Sequence, residues 1–191
     1  TTGSSGSGGS GGGGGGIVSI STSLLFEAER YSSKVGSEFI IVKDSSSSGG
    51  EHIKSNAAYT SSITNSKNIL SYSASSSSPS SAYIWIKMRK SDGTTGSFFV
   101  ELNGKNKLIS LAGKDWKWVK VSETFNLNSG SNTVKIYSRH KNTEIDSLIL
   151  TKNSAYNPNN SPLPNAAASV CGNGKIDSGE VCDGSNLNAK S

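Results

Sequence analysis

The chain is 191 residues long and carries a formal net charge of +5, with 17% charged and 32% hydrophobic residues. Both fractions are low for a globular protein, and glycine and serine fill the difference. The basic residues stand singly, without the clustered stripe and interleaved aromatics of a nucleic-acid binder. No apolar run nears the ~18 residues that span a membrane. Nucleic acid and membrane insertion are therefore set aside, while a mild attraction to acidic polysaccharide is compatible with the charge.

Residues 1–16 hold ten of the 22 glycines and read as a Gly/Ser linker, since they bury too little apolar surface to offset the entropy of ordering. The alternative is a glycine run packed in an assembly. The core is sought in residues 17–153, long enough for a two-layer interior. Residues 17–20 (Ile-Val-Ser-Ile) are a first strand. The stretch 23–31 is ambiguous, because Leu24–Arg30 has helical propensity but lies between serine-rich turns. Phe39-Ile40-Ile41-Val42 is a strand, 44–51 a polar loop, and His52-Ile53 a short strand that turns irregular over 54–59. Residues 68–74 form another strand, followed by a Ser/Pro loop.

Residues 82–89 carry the strongest alternation: Ala82, Ile84, Ile86 and Met88 share one face, and Tyr83, Trp85, Lys87 and Arg89 the other. A hairpin loop at 91–96 returns through Phe98–Leu102. Asn103-Gly104 signals a type I′ turn before the strand 107–111. From Asp115 to Leu150 the chain reads as three short strands separated by polar turns, with Val119/Val121 and Val134/Ile136 alternating with polar residues. The turns are Asn128–Asn132 and Lys141-Asn142-Thr143. About nine or ten short strands, with turn signals every 8–12 residues, predict an all-β antiparallel sandwich.

The order of Trp116, Trp118, Leu127, Gly130, Val134, Ile136, Arg139, Ile145 and Asp146 resembles the C-terminal half of carbohydrate-binding modules with a galactose-binding-like jelly roll. Families six and thirty-five, and the C-terminal domain of alpha-glucuronidases, are the nearest. Upstream, Phe26-Glu27-Ala28-Glu29 and Lys43–Gly50 continue the resemblance, which runs over about 130 residues. It implies that residues 23–31 are a strand. It also implies a structural calcium between the chain ends, held by Glu27, Glu29 and Asp146, with Asp44 a weaker candidate. Calcium takes six to eight oxygen ligands, which suits two acids on one strand face. The alternative is that these acids pair with Arg30, Lys34 or Arg139 at the surface.

Sugar sites stack an aromatic face on the ring and surround it with planar polar groups. Trp85 and Trp118 are assigned to the fold, and Trp116 and Tyr59 are the candidate platforms. In the related modules the site lies in loops at one end of the sandwich, which would gather His52, Asn56 and Tyr59 with Arg139, His140 and Asn142. The Ile-Asp strand is not followed by the aromatic that several sugar-binding relatives place there. A hydrolase would need a nucleophile with its base. There are only two histidines and no Gly-x-Ser-x-Gly elbow, so the chain is read as non-catalytic.

Residues 154–170 read as a Pro/Ala-rich second linker with a glycosylation sequon at Asn159-Asn160-Ser161. Residues 171–191 are similar to the opening of a Cys-rich repeat of secreted microbial surface proteins. Their spacing permits a Cys171–Cys182 disulfide worth roughly 2–3 kcal/mol; a metal site would lack further thiols or a histidine. Asp177, Glu180 and Asp183 are candidates for a second calcium loop. The expectation is thus a piece of a larger secreted, extracellular or cell-surface protein that binds polysaccharide or glycan. A self-assembling surface-layer or fibre subunit, using the Gly-rich arm or the Cys-rich tail, is the second hypothesis.

Overall fold

The computed structural model describes residues 18–164. The Gly-rich arm of residues 1–16, and Cys171 and Cys182 with the tail acids, lie outside the described residues. Thirteen strands and two short 3₁₀ turns make up the described chain. The strands are β1 Val18–Ser19, β2 Ser23–Glu27, β3 Ser33–Val35, β4 Phe39–Lys43, β5 Glu51–Ser55, β6 Ile69–Ser76 and β7 Ser80–Lys90. They continue as β8 Thr95–Leu102, β9 Lys105–Ala112, β10 Lys117–Lys120, β11 Phe125–Leu127, β12 Gly130–Ser138 and β13 Thr143–Thr151.

These strands form two sheets. One runs β1-β6-β12-β8-β9, with β3 also on β6; the other runs β10-β7-β13-β5-β4, with β11 on β7 and β2 on β13. Every pairing is antiparallel except β1 with β6. The expected antiparallel sandwich is what the chain forms. The ambiguous stretch at 23–31 is a strand as far as Glu27, where Leu24 and Phe26 enter the core.

The core lies between the sheets, and strand alternation explains its membership. Ala82, Ile84, Ile86 and Met88 of β7 meet Leu70, Tyr72 and Ala74 of β6 and Val134 and Ile136 of β12 in one cluster. Phe39 faces Phe98 with ring centroids 6.1 Å apart. Tyr72 is fully buried and donates its hydroxyl to Ala28 O at 2.7 Å, so its polar end does not go unpaired.

Strand β13 is buried along its whole length, because both of its faces are covered. Ile145, Leu148 and Leu150 enter the main core, while Ile149 joins Leu25 and Trp85 in a smaller cluster on the outer face, with Trp118 and Tyr156 against it. Trp85 and Trp118 are thus packing residues, as expected. Residues beyond β13 stay close to the sandwich: Lys120 Nζ donates to Ser154 O, and Tyr156 to Pro162 O. No helix among the described residues is long and apolar enough to cross a membrane.

Several local features differ from the sequence reading, which expected about nine or ten strands and placed none at Ser33–Val35. The region 115–150 holds four strands rather than three, since Phe125–Leu127 forms its own pairing with β7. Strand β12 begins at Gly130, inside the segment read as a turn; that glycine takes φ +85°, a conformation side chains disfavour. The register of β13 on β7 slips between Ile145 and Ser147, which makes Asp146 an extra residue in the strand. Such bulges re-aim a side chain, and this one serves a carboxylate discussed below.

Candidate functional site

Four strands begin or end together at one end of the sandwich: β4 begins, β5 ends, β6 begins and β12 ends there, with Phe39 opposite Ser55 and Ile69 opposite Tyr137. Loops between these ends enclose a cleft of about 690 Å³ lined by Glu38, residues 56–61, residues 65–68 and Ser138. Asn56, Asn65 and Asn68 give it planar amide groups, and Tyr59 is its exposed aromatic, with 59% of its surface open.

Tyr59 is exposed yet held. Arg139 Nη2 donates to its hydroxyl at 3.0 Å, and the guanidinium carbon lies 4.8 Å from the ring centroid, a cation–π distance. The His140 ring packs against it, centroids 4.9 Å apart and planes tilted by 41°. The backbone N–H of Thr60 donates to Arg139 O at 3.1 Å, tying the loop to the end of β12. Arg139 Nη1 donates to Ser97 Oγ at 2.7 Å, and Ser97 Oγ lies 2.6 Å from His140 Nδ1. Burial, then the positive charges of Arg139 and Lys90, hold the His140 imidazole below its usual range. Ser97 was not singled out by sequence reasoning, because one serine among many carries no signal until its partners are known.

His52 and Trp116 occupy a different place, on the outer face of the seven-stranded sheet. His52 is buried, with Nδ1 2.9 Å from Ser47 Oγ and Nε2 3.3 Å from Glu144 Oε2. Its ring meets Trp116 edge-on at 5.2 Å, and the Arg89 guanidinium lies 4.2 Å above the Trp116 ring. One face of the expected platform is therefore already taken. Arg89 donates from Nε to Glu144 at 2.6 Å and from Nη2 to Asp44 at 2.7 Å. Burial pushes the Glu144 carboxyl up, but hydrogen bonds from His52 and Arg89 outweigh it and bring it down to about 2. Asp44 is likewise held at about 2, first by the Ser46 backbone N–H and hydroxyl and then by Arg89.

Glu27, Glu29 and Asp146 come together around the loop 48–50. Glu27 accepts from the hydroxyls of Ser48 at 2.9 Å and Ser147 at 3.2 Å. Asp146, fully buried, accepts from the Ser48 backbone N–H at 2.8 Å and faces Lys87 Nζ at 2.7 Å. Burial, aided by the charges of Glu27 and Asp146, pushes Glu29 up to about 7. Its Oε2 is buried without a hydrogen-bond partner. The donors are all oxygens, the ligand type a hard cation takes. Among the described residues no group of three His, Cys, Asp or Glu side chains is placed to hold a metal ion, and Lys87 supplies a positive charge beside Asp146.

The expected sugar residues thus divide. Asn56, Tyr59, Arg139 and His140 gather at the cleft end. Asn142, at φ 59° in the β12–β13 turn, donates to Asp92 Oδ2 at 3.3 Å. His52 and Trp116 belong to the ion network. Two serines lie beside the histidines, but Ser97 and Ser47 are both buried, so neither hydroxyl faces a substrate-sized space.

No protein-family model matches the chain, and no curated protein matches it in sequence. Solved structures do. The fold is that of the family 35 carbohydrate-binding modules. The module from Clostridium thermocellum aligns with TM-score 0.55 and 11% identity over 70% of this chain and 100% of that one. The family 35 module of Cellvibrio japonicus Abf62 aligns with TM-score 0.54 and 16% identity over 70% of this chain and 95% of that one. The Podospora anserina GH26-CBM35 β-(1,4)-mannanase gives TM-score 0.58 and 18% identity over 73% of this chain. The chain spans only 29% of that enzyme and 30% of the exo-β-1,3-galactanase of Phanerochaete chrysosporium, which aligns with TM-score 0.54 and 21% identity over 69% of this chain.

Proposed function

We propose that the chain is a non-catalytic, extracellular carbohydrate-binding module whose sugar site is the cleft beside Tyr59. The observation that carries this reading is an aromatic ring left 59% open while being immobilised by Arg139 and His140 beside an amide-lined cleft. A large apolar ring that is both exposed and pre-ordered gains contact area on binding at little entropic cost. Asn56, Asn65 and Asn68 supply donors and acceptors for sugar hydroxyls, and Ser138 closes the cleft floor. Trp116 lies outside this scheme, packed against His52 with Arg89 over one of its faces. Calorimetric titration with β-1,4-manno- and β-1,3-galacto-oligosaccharides tests the reading, those being the sugars named with the structural neighbours. Binding that Tyr59→Ala removes supports it; a full glycan array with no signal at any sugar refutes it.

Calcium is the second part of the proposal. Glu27, Glu29 and Asp146 would hold it, and its charge would offset the burial and the neighbouring carboxylates that raise Glu29. It would tie β2 to β13 and so join the two ends of the domain.

A self-assembling subunit is favoured by one separate observation. Strand β4 is an edge of its sheet and leaves Ile40 and Ile41 exposed. Apolar edge strands template pairing with another chain. Sedimentation distinguishes the readings: a binder sediments as a monomer, whereas a β4-paired subunit dissociates on Ile41→Lys.

A further inference from the structure

We propose that Ser97, His140 and Arg139 form a positioning relay for Tyr59, and that acid releases this relay and with it the hold on sugar. The consequence for sugar rests on the function proposed above; the relay itself rests on geometry alone.

Arg139 has only donors, so Ser97 Oγ must accept from its Nη1. The one proton of Ser97 then points to His140 Nδ1, 2.6 Å away. Nδ1 therefore accepts, and the imidazole is neutral with its proton on Nε2. Arg139 Nη1 also lies 3.3 Å from the same nitrogen. Ser97 is fully buried, so water cannot take its place. Protonating Nδ1 removes the acceptor, leaves the Ser97 proton without a partner and sets a second positive charge beside the guanidinium. Arg139 carries two of the restraints on Tyr59, the hydroxyl bond and the contact over the ring, and the His140 ring packs against the same side chain.

The groups facing His140 come from four elements. Arg139 lies beside it at the end of β12, Ser97 reaches it from β8, Tyr59 from the β5–β6 loop, and the charge of Lys90 acts on it from β7. Lys90 is itself paired with Asp92 in the β7–β8 hairpin. Both charges acting on the ring are positive, so nothing favours the imidazolium. Ser97, His140 and Arg139 act through Tyr59 and are positioning residues.

The test follows the Tyr59 and His140 ring resonances by NMR as the whole chain is titrated from pH 8 to pH 5. The Tyr59 signals are expected to move with the His140 midpoint, below pH 6.5. His140→Asn offers an oxygen near the Nδ1 position and has no proton to gain, so Tyr59 should become indifferent to pH. Ser97→Ala should show acid-like Tyr59 signals already at pH 8, which keeps the test available if His140→Asn does not fold. For an oligosaccharide that binds at pH 8, affinity should fall about tenfold once His140 is protonated in the native chain, and His140→Asn should show no such fall. Tyr59 signals that ignore the ionisation of His140, or that titrate unchanged in His140→Asn, overturn the relay. Failure of every oligosaccharide at pH 8 refutes the sugar site instead, and the NMR titration still decides the relay.

Discussion

Glu144→Gln isolates the charge network under Trp116. The Glu144 side chain is 3% exposed and is reached by Arg89 Nε at 2.6 Å, His52 Nε2 at 3.3 Å and Lys54 Nζ at 3.8 Å. Hydrogen bonds from His52 and Arg89 bring its carboxyl from 4.5 to about 2 despite burial. A difference of that size between unfolded and folded states corresponds to about 3 kcal/mol. Arg89 and Lys54 both reach water, so about 2 kcal/mol is the working figure. The sign follows from a carboxylate whose folded value lies below its unfolded value: the contribution is full above pH 4.5 and is lost as pH falls towards 2. Glutamine keeps the shape but not the charge. Denaturant unfolding at pH 7 should therefore show a loss of about 2 kcal/mol, or about 4–8 °C in Tm for a domain of this size. At pH 2.5 the gap between the native chain and the variant should shrink to about a quarter. An equal gap at both pH values, or no gap at pH 7, would refute the reasoning.

Three further outcomes are expected. Millimolar calcium should raise Tm above that in EDTA, and Glu29→Gln should abolish the rise; an indifferent Tm means that Lys87 alone balances the carboxylates. Trp116→Ala should cost roughly 1–3 kcal/mol through its lost contacts with Arg89 and His52, while changing oligosaccharide affinity by less than about twofold; a loss of binding equal to that of Tyr59→Ala would return Trp116 to the sugar site. At Gly96 an added Cβ would lie 2.7 Å from Thr143 Oγ1 and 2.8 Å from Lys90 Cδ, so Gly96→Ala should destabilise by ~1–3 kcal/mol, read as a lower denaturant midpoint.

The fold was legible because its longest strands alternate without interruption. Ala82, Ile84, Ile86 and Met88 are all buried on one face of β7, and Val134 and Ile136 do the same on β12. A period of two survives any tertiary context that keeps one face dry. What failed was local. Residues 125–127 are too few to show a period, and their assignment to β7 depends on a pairing across more than forty positions. The stretch 23–31 was undecidable by propensity, since Leu24-Leu25-Phe26 suits either helix or strand. Its partner, β13, decides it by setting Leu25 against Ile149 and Phe26 against Leu148.

The site was legible only as a set of chain positions brought to one end. Strand direction brings the end of β5 next to the start of β4, and the end of β12 next to the start of β6, so any topology of this kind collects Asn56, Tyr59, Arg139 and His140. It does not say which way each side chain faces. His52 lies only three residues before Ser55, at the end of the same strand, yet alternation turns it and Lys54 to the outer face, while Ile53 enters the core. There it meets Glu144, Arg89 and Trp116 rather than the cleft. The carboxylate trio shows the reverse case. Glu27 and Glu29 could be paired by spacing, but Asp146 reaches Ser48 and Lys87 from a residue inserted into β13 by a register slip. Spacing cannot encode a bulge; only the competition between the core demand of Ile145 and Leu148 and the charge demand of Asp146 produces one. A deletion that removes Asp146 should therefore restore an unbroken β13–β7 ladder while leaving Lys87 without its carboxylate partner. Such a variant should fold less stably than Asp146→Asn, which retains the extra residue and the Ser48 hydrogen bond.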